Sequence, residues 1–383
     1  MLIVIIGTCS AYCFALVGKV CSYTGATSYR EAWERAVSPN TGYVPGIACI
    51  LVPSCSTVAY SMILSETLPK LVTTITNGSM LLARSDALIY LTIFALLPLC
   101  LLKDLKSLAP FSLVGTIGLL YTCVAMAIRK FDGTYAVASS MDEVGGKFLE
   151  KLAPELLPNL ASSDGLSVQA LVDTVCNPNI FLLISMVSTA YMAHYNSPKY
   201  YWELKNNTLE RFQTVVKYAF SLAFIILWGV ASMGYLTFGP AASGFILNSY
   251  STDDPLMSVS RIAVAVSLLC SYPLVFGGLR TGILDLLQVP KSKRTDKVLN
   301  TMTVSLLSVI TCLAFVVTDL RKVLSFAGAT WGNAVVYLIP CYMFVNCAKN
   351  VAPELQKEVP LVTFTGIIGL LLGIIGTVRA IQS

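Results

Sequence analysis

A short stretch of the chain carries hydroxyl, amide and imidazole groups inside a segment that is otherwise apolar. It reads SMVSTAYMAHYNSP from Ser185 to Pro198 and includes His194, the only histidine of the chain. Such groups are costly inside a membrane span and are therefore candidates for a binding site. Pro198 has no backbone N–H, so a helix that continues past it is expected to kink or break there. A broken helix frees backbone amides and carbonyls, which can hold the amino and carboxylate groups of a solute.

The side chains of this stretch leave two interpretations open. In the first, Ser188, Thr189 and Tyr191 face a bound solute, and His194 titrates near neutral pH. In the second, His194 and Asn196 lie at the membrane interface, where they contact only solvent or lipid headgroups. The sequence does not separate the two.

A second candidate site combines a proline with a hydroxyl residue in the stretch Ser267–Arg280. Pro273 frees a backbone carbonyl one turn earlier, and Ser271 has a hydroxyl oxygen beside it. Together they offer the hard oxygen ligands that suit Na⁺. The alternative is structural, since proline also bends membrane helices for packing and serine often bonds to its own helix.

Two further stretches are polar or rich in small residues. In the first, the Tyr60 hydroxyl is long enough to reach a bound solute, although its neighbours Ser56 and Ser61 also suit close helix packing. The second, Ser325–Asn333, contains two glycines, and we interpret it as a packing surface.

Composition places all these residues in a membrane. The chain has 383 residues, of which 55% are hydrophobic and only 12% are charged, against about 25% charged in a soluble domain. Its long runs are apolar on all sides, as expected for helices in lipid. With about 20 residues per span, the sequence predicts an all-α, polytopic membrane protein of one domain, residues 1–383, with ten helices. The predicted spans are 1–18, 45–69, 86–102, 108–128, 179–197, 212–238, 256–279, 298–318, 321–346 and 360–380, with an outer loop at 129–178.

Several classes of protein fit the chain poorly. The net charge of +5 comes from short basic clusters between apolar runs, which is typical of membrane loops and not of nucleic-acid binding. Their distribution predicts that both ends of the chain face outward. The 12 cysteines lie mostly inside apolar runs, so we expect no essential disulfide and no metal site. A membrane-embedded enzyme would need paired carboxylates or a histidine cluster, and a channel would need a filter-like loop; neither pattern is present.

Four motifs, in this order and at these separations, make the whole chain resemble one family. The chain is similar to the amino acid/auxin permeases, which include the sodium-coupled neutral amino acid transporters and the vacuolar amino acid exporters. The motifs are Thr24–Tyr29, Ala193–Asn196 followed by Tyr201–Lys205, Gly234–Gly239, and Ser271–Leu274 with Arg280.

The resemblance implies both an architecture and an activity. The implied fold has eleven helices, ten of them in the inverted-repeat arrangement of the leucine transporter. The ten predicted spans then correspond to helices two to eleven, and the family's first helix has no counterpart here. The implied activity is secondary active transport of amino acids, most simply neutral ones, by alternating access in a plasma or vacuolar/lysosomal membrane. An amino acid sensor that binds without moving its ligand is the alternative.

The resemblance also assigns roles to single residues. Thr189, Ala190 and Tyr191 are expected to lie beside the break of helix six and to face the substrate. Ser271 matches a residue that binds Na⁺ in sodium-coupled members, and His194 matches the histidine of helix six. Either Na⁺ or H⁺ therefore remains open as the coupling ion, and we expect no cofactor. Beyond an amino acid and the lipid bilayer we expect no partner, and we expect a monomer.

Overall fold

The chain is described by a computed structural model that covers residues 1–76, 79–102, 109–136, 177 and 180–382. Within this part the regular structure is helical throughout and no strand is present. The predicted short turn at 103–107 and most of the predicted outer loop at 129–178 lie outside the described residues. The helices, numbered along the chain, are as follows: α1 Leu2–Thr24, α2 Tyr29–Ala36, α3 Tyr43–Ile75, α4 Arg84–Leu91, α5 Leu97–Leu101, α6 Ala109–Phe131, α7 Ile180–Ala190, α8 Ser197–Glu203, α9 Leu209–Phe238, α10 Pro255–Leu286, α11 Asp296–Val316, α12 Leu320–Ala327, α13 Ile339–Asn350 and α14 Val359–Gln382.

Nine helical segments of the described residues are long and apolar enough to cross a membrane. They account for all the predicted spans except the fifth, 179–197, of which α7 covers only Ile180–Ala190. The protein is therefore an all-α, polytopic membrane protein, as predicted. Exposed apolar side chains support this assignment. On α14 they are Leu361, Phe364, Ile367 and Leu371, which suit contact with lipid.

Polar caps mark where several of these helices begin. The side chains of Ser28, Thr208 and Asp254 accept hydrogen bonds from backbone amides in the first turns of α2, α9 and α10. At the C-terminal end of α1, Gly25 has a φ of 69°, and its amide donates to the Cys21 carbonyl. This left-handed conformation suits glycine, so the chain can turn sharply from α1 into α2.

The helices pack around two large buried clusters. The first joins α1, α9 and α13 and includes Val17, Phe212 and Phe344. The second joins α3, α10 and α11 and includes Met62, Phe276 and Ile310. The two clusters meet at α3, which contributes Ala48 and Val52 to the first and Met62 to the second. Residues near this boundary are candidates for a site.

A buried ion pair fixes the start of α10. Asp254 is fully buried, and both its oxygens accept from the Arg129 guanidinium, at 2.8 Å each. The Tyr135 hydroxyl lies 3.0 Å from the same carboxylate. Burial, together with the Asp254 charge, raises the pKa of Tyr135, so this hydroxyl stays protonated and donates. The end of α6 and the residues after it are therefore tied to α10.

Candidate functional site

The fifth predicted span is broken, and the break precedes the proline. α7 ends at Ala190, and the backbone forms no α-helix again until α8 begins at Ser197. Pro198 therefore lies in the first turn of α8. A proline is tolerated there because the first amides of a helix have no partner to lose. The predicted break is confirmed, but it lies at 191–196 and not at Pro198 itself.

His194 lies within this break and is completely buried. Its Nε2 is 2.9 Å from the backbone carbonyl oxygen of Ser10 in α1. A carbonyl can only accept, so Nε2 carries the proton and donates. Its Nδ1 is buried without a partner, as an unprotonated acceptor. The interpretation in which His194 contacts solvent or headgroups is therefore wrong, because the surrounding helices enclose the ring.

A tyrosine connects the elements on either side of the break. The Tyr337 hydroxyl lies 3.3 Å from the Ser188 hydroxyl of α7 and 3.4 Å from the Ser10 hydroxyl of α1. All three side chains are buried. Tyr337 thus connects α1 with α7, and it does so at Ser10, the residue whose carbonyl contacts His194.

The helix that carries Tyr337 is irregular. Between α12 and α13 the chain forms two π-helical segments, Gly328–Gly332 and Ala334–Leu338. Such segments are rare and often occur at functional sites. Gly328 lets α7 approach closely, because a Cβ there would lie 2.1 Å from the Ser185 carbonyl oxygen. The predicted packing role of Ser325–Asn333 agrees with this contact.

The three predicted substrate-facing residues of α7 and the break behave differently. The Thr189 hydroxyl lies 2.9 Å from the Ser185 carbonyl and 3.2 Å from the Leu324 carbonyl, so it bonds to neighbouring backbone. Ala190 is exposed in the last turn of α7. Tyr191 is only 4% exposed, yet its hydroxyl is buried without a partner. Of the three, Tyr191 has the free hydrogen-bonding capacity that a solute requires.

Tyr60 and Ser271 belong to the other side of the molecule. The Tyr60 ring lies 6.4 Å from the Tyr272 ring, and the Tyr272 hydroxyl is 3.1 Å from the Ser61 hydroxyl. Ser271 is the half-buried residue before Tyr272 in α10, which continues through Pro273 without a break. Hydrogen bonds and ring contacts among the described residues do not join this group to His194. The roles predicted for Tyr60 and Ser271 stay predictions.

A cavity of about 470 Å³ lies between α1 and α9 and adjoins the break. Tyr191 lines it, as do Gly7 and Tyr12 of α1 and Phe220 of α9. The Tyr191 and Phe220 rings stack with their centres 5.9 Å apart. The cavity falls within the size range of small-molecule sites. In the described part of the chain, no group of histidine, cysteine or acidic residues is arranged to hold a metal ion.

Sequence reasoning missed Ser10 and Tyr337. Both are single polar residues in apolar spans, which normally indicate nothing beyond a local hydrogen bond. Only the packing of three helices brings them together with His194. The π-helical segments also lack a signal in the residue pattern.

Comparisons with known proteins identify the family of the chain. The family model described as transmembrane amino acid transporter protein matches residues 1–382. The chain belongs to this family. A protein of Rattus norvegicus, provisionally named sodium-coupled neutral amino acid transporter 11, is 22% identical over 379 residues, which are 94% of this chain and 74% of the relative. Vacuolar amino acid transporter 6 of Saccharomyces cerevisiae is 24% identical over 290 residues, or 75% of this chain, and the match spans 59% of the yeast protein.

The Tyr337 bridge gives a first testable prediction. Replacing Tyr337 by phenylalanine keeps the ring but removes the hydroxyl that the buried Ser10 and Ser188 hydroxyls contact. An unpaired buried polar group costs about 1–3 kcal/mol, so we expect a lower melting temperature and weaker solute binding. Thermal unfolding and binding of labelled leucine by the purified protein measure both effects.

Tyr342 offers the matched control for that variant. It lies in α13, is 53% exposed and stacks on Trp33. Tyr342→Phe should therefore change neither measurement. Equal effects of the two substitutions would contradict a specific role for the Tyr337 hydroxyl.

Proposed function

We propose that the chain transports amino acids across a membrane and binds them at the break between α7 and α8. The observation that carries this proposal is a pair of buried, unpartnered atoms at the break, His194 Nδ1 and the Tyr191 hydroxyl. Buried polar groups without partners are costly, so a ligand that supplies the partners is favoured. An amino acid does so: its ammonium group donates to the imidazole, and its carboxylate accepts from the phenol.

Neutral amino acids suit this environment best. The rings around the break belong to Phe14 and Phe220, and the Phe14 ring lies 5.5 Å from both His194 and Phe220. None of the described residues that line the adjoining cavity is acidic, so a cationic side chain would lack a counter-charge there. The name of the rat relative, which refers to neutral amino acids, supports the same specificity.

We further propose that transport is secondary active and coupled to Na⁺ or H⁺. In the mechanism we propose, α1, α7 and α9 rock against the unit of α3 and α10, so that the break opens to each side in turn. His194 is the candidate for proton coupling, because it is the one imidazole and has a free nitrogen. Ser271 is the candidate for Na⁺. The relatives' names refer to sodium coupling and to the vacuole, and they support a plasma or vacuolar membrane location equally.

The test is uptake of labelled leucine by proteoliposomes under an imposed Na⁺ or H⁺ gradient. We expect gradient-driven uptake in the unaltered chain. Uptake of no amino acid under either gradient, together with preserved leucine binding, would replace transport by the sensor alternative. Absence of both binding and uptake would contradict the whole proposal.

Substitution of His194 tests the coupling role. In His194→Gln the amide can still donate to the Ser10 carbonyl, but the side chain no longer titrates. If protons are the coupling ion, we expect proton-driven uptake to fall at least about tenfold, equivalent to about 1.4 kcal/mol, and to lose its pH dependence. Ser271→Ala is the paired variant: under Na⁺ coupling it should weaken the Na⁺ dependence instead. Unchanged kinetics in both variants would remove the two residues from the site.

A further inference from the structure

Three polar side chains form a row along the membrane helix α9. Gln213, Lys217 and Ser221 are spaced four residues apart and are exposed on one face. They follow Glu210 and Arg211 of the first turn and lie in a membrane-spanning segment, Leu209–Ala241, in which a window of 18 residues has a mean hydropathy of 1.8. A row of this kind does not suit lipid, because a lysine and an amide facing hydrocarbon are costly. The row is therefore expected to face water or a polar ligand.

The row lies along the cavity beside the break. All three residues line the same 470 Å³ space as Tyr191. Ring contacts show how far along the helices the row lies. Phe212 and Phe220 of α9 both pack against Phe14 of α1, with ring centres 5.8 and 5.5 Å apart. Lys217 lies between these two phenylalanines in the sequence, about 12 Å along α9 from its first residue. The lysine is thus level with the middle of α1, near the broken helix.

The cavity contains hydrogen-bond donors that have no acceptor in the described part of the chain. The Tyr12 and Tyr191 hydroxyls line it, and both are buried without a partner. Lys217 has no ion pair or hydrogen bond among the described residues, and no carboxylate lines the cavity. One ammonium and two phenols in a space without an acidic side chain form a site for an anionic group. The remaining lining is mostly apolar, with Val4, Val216 and Phe224 among its members.

We propose that Lys217 binds the carboxylate of the transported amino acid in this cavity. The inference rests on the proposed function and adds a specific residue and orientation to it. The Tyr12 and Tyr191 hydroxyls donate to the same carboxylate, while the ammonium group of the solute points away from Lys217, toward the break. The apolar lining accepts an uncharged side chain. The ligand class is a solute with a free carboxylate and an apolar side chain.

A purely structural role for Lys217 predicts something different. A lysine can extend its stem along an apolar surface and place its ammonium group at the interface. Removing that charge would leave solute binding unchanged. The two readings therefore differ in whether binding depends on the solute's carboxylate.

The experiment compares leucine with leucinamide, which lacks the carboxylate, in the purified full chain. We expect the unaltered protein to bind labelled leucine and to discriminate against leucinamide. In Lys217→Gln, leucine binding should weaken at least about tenfold, and the discrimination should disappear. Lys217→Arg, which keeps the charge, should restore both. Tyr12→Phe should weaken leucine binding by a smaller factor.

Lys205→Gln is the matched control, since Lys205 is exposed and lies outside the cavity. Melting temperatures of all variants check that each one is folded. Unchanged leucine affinity and unchanged discrimination in a folded Lys217→Gln would overturn the role of Lys217 and leave the proposed function standing. Failure of the unaltered chain to bind or take up any amino acid would overturn both.

Discussion

Replacing Gly328 by alanine should destabilise the protein more than the same substitution at any other described glycine that packs against α7. The new Cβ would lie 2.1 Å from both the Ser185 carbonyl oxygen and the Thr189 hydroxyl oxygen. The hydroxyl can rotate away, but the carbonyl belongs to the α7 backbone, so the helices must separate. Overpacking of this kind typically costs 1–3 kcal/mol and occasionally more, and we expect about 3 kcal/mol here. Separation would also move Thr189 and the adjoining break, so leucine uptake should fall strongly.

Gly278 provides the control within the same chain. It is exposed in α10, and a Cβ there would have nothing within 4 Å. Alanine favours a helix over glycine by roughly 0.8–1.0 kcal/mol, so Gly278→Ala should leave the melting temperature unchanged or raise it. Thermal unfolding of both variants in the same detergent measures the difference. A Gly328→Ala protein that melts and transports like the unaltered chain would show that α7 does not depend on this close approach.

The sequence predicted the spans well because hydrophobic length is a local property. Nine of the ten predicted helices correspond to apolar helices of the described residues. The tenth contains the break, and the signal for it, Pro198, was also local. The break nevertheless precedes the proline by several residues, since Pro198 is accommodated at the start of α8.

The composition of the site could not be predicted in the same way. Sequence patterns indicate which residues share a helix, but not which helices meet. Tyr337 was invisible among apolar neighbours, yet packing brings its hydroxyl to Ser10 and Ser188. Conversely, Ser271 stood out beside a proline, but among the described residues no hydrogen bond or ring contact joins it to His194, whose Nε2 bonds to Ser10 instead. Long-range packing therefore explains both why Tyr337 was missed and why Ser271 is not joined to His194.

The buried Asp254 is the second position where a small change should have a large effect. Asparagine can keep the hydrogen bonds to the first turn of α10 but removes the charge that Arg129 and Tyr135 contact. Neutralising one partner of a buried ion pair typically costs 3–5 kcal/mol, and the low end applies here because Arg129 also pairs with Asp132, at 2.8 Å. We expect Asp254→Asn to lose about 3 kcal/mol of stability.

Asp285 provides the control, because its substitution removes an exposed charge where Asp254→Asn removes a buried one. It also pairs with an arginine, Arg294, but its side chain is 47% exposed. Exposed pairs contribute about 0–1 kcal/mol, so Asp285→Asn should shift the melting temperature little. Because α10 begins at Asp254 and carries Ser271 and Tyr272 further along, loosening its first turn should also reduce uptake in Asp254→Asn more than in Asp285→Asn. Equal melting temperatures for the two variants would mean that Asp132 alone satisfies the Arg129 charge when Asp254 is neutral, and that the C-terminal end of α6 is not held by the Asp254 pair.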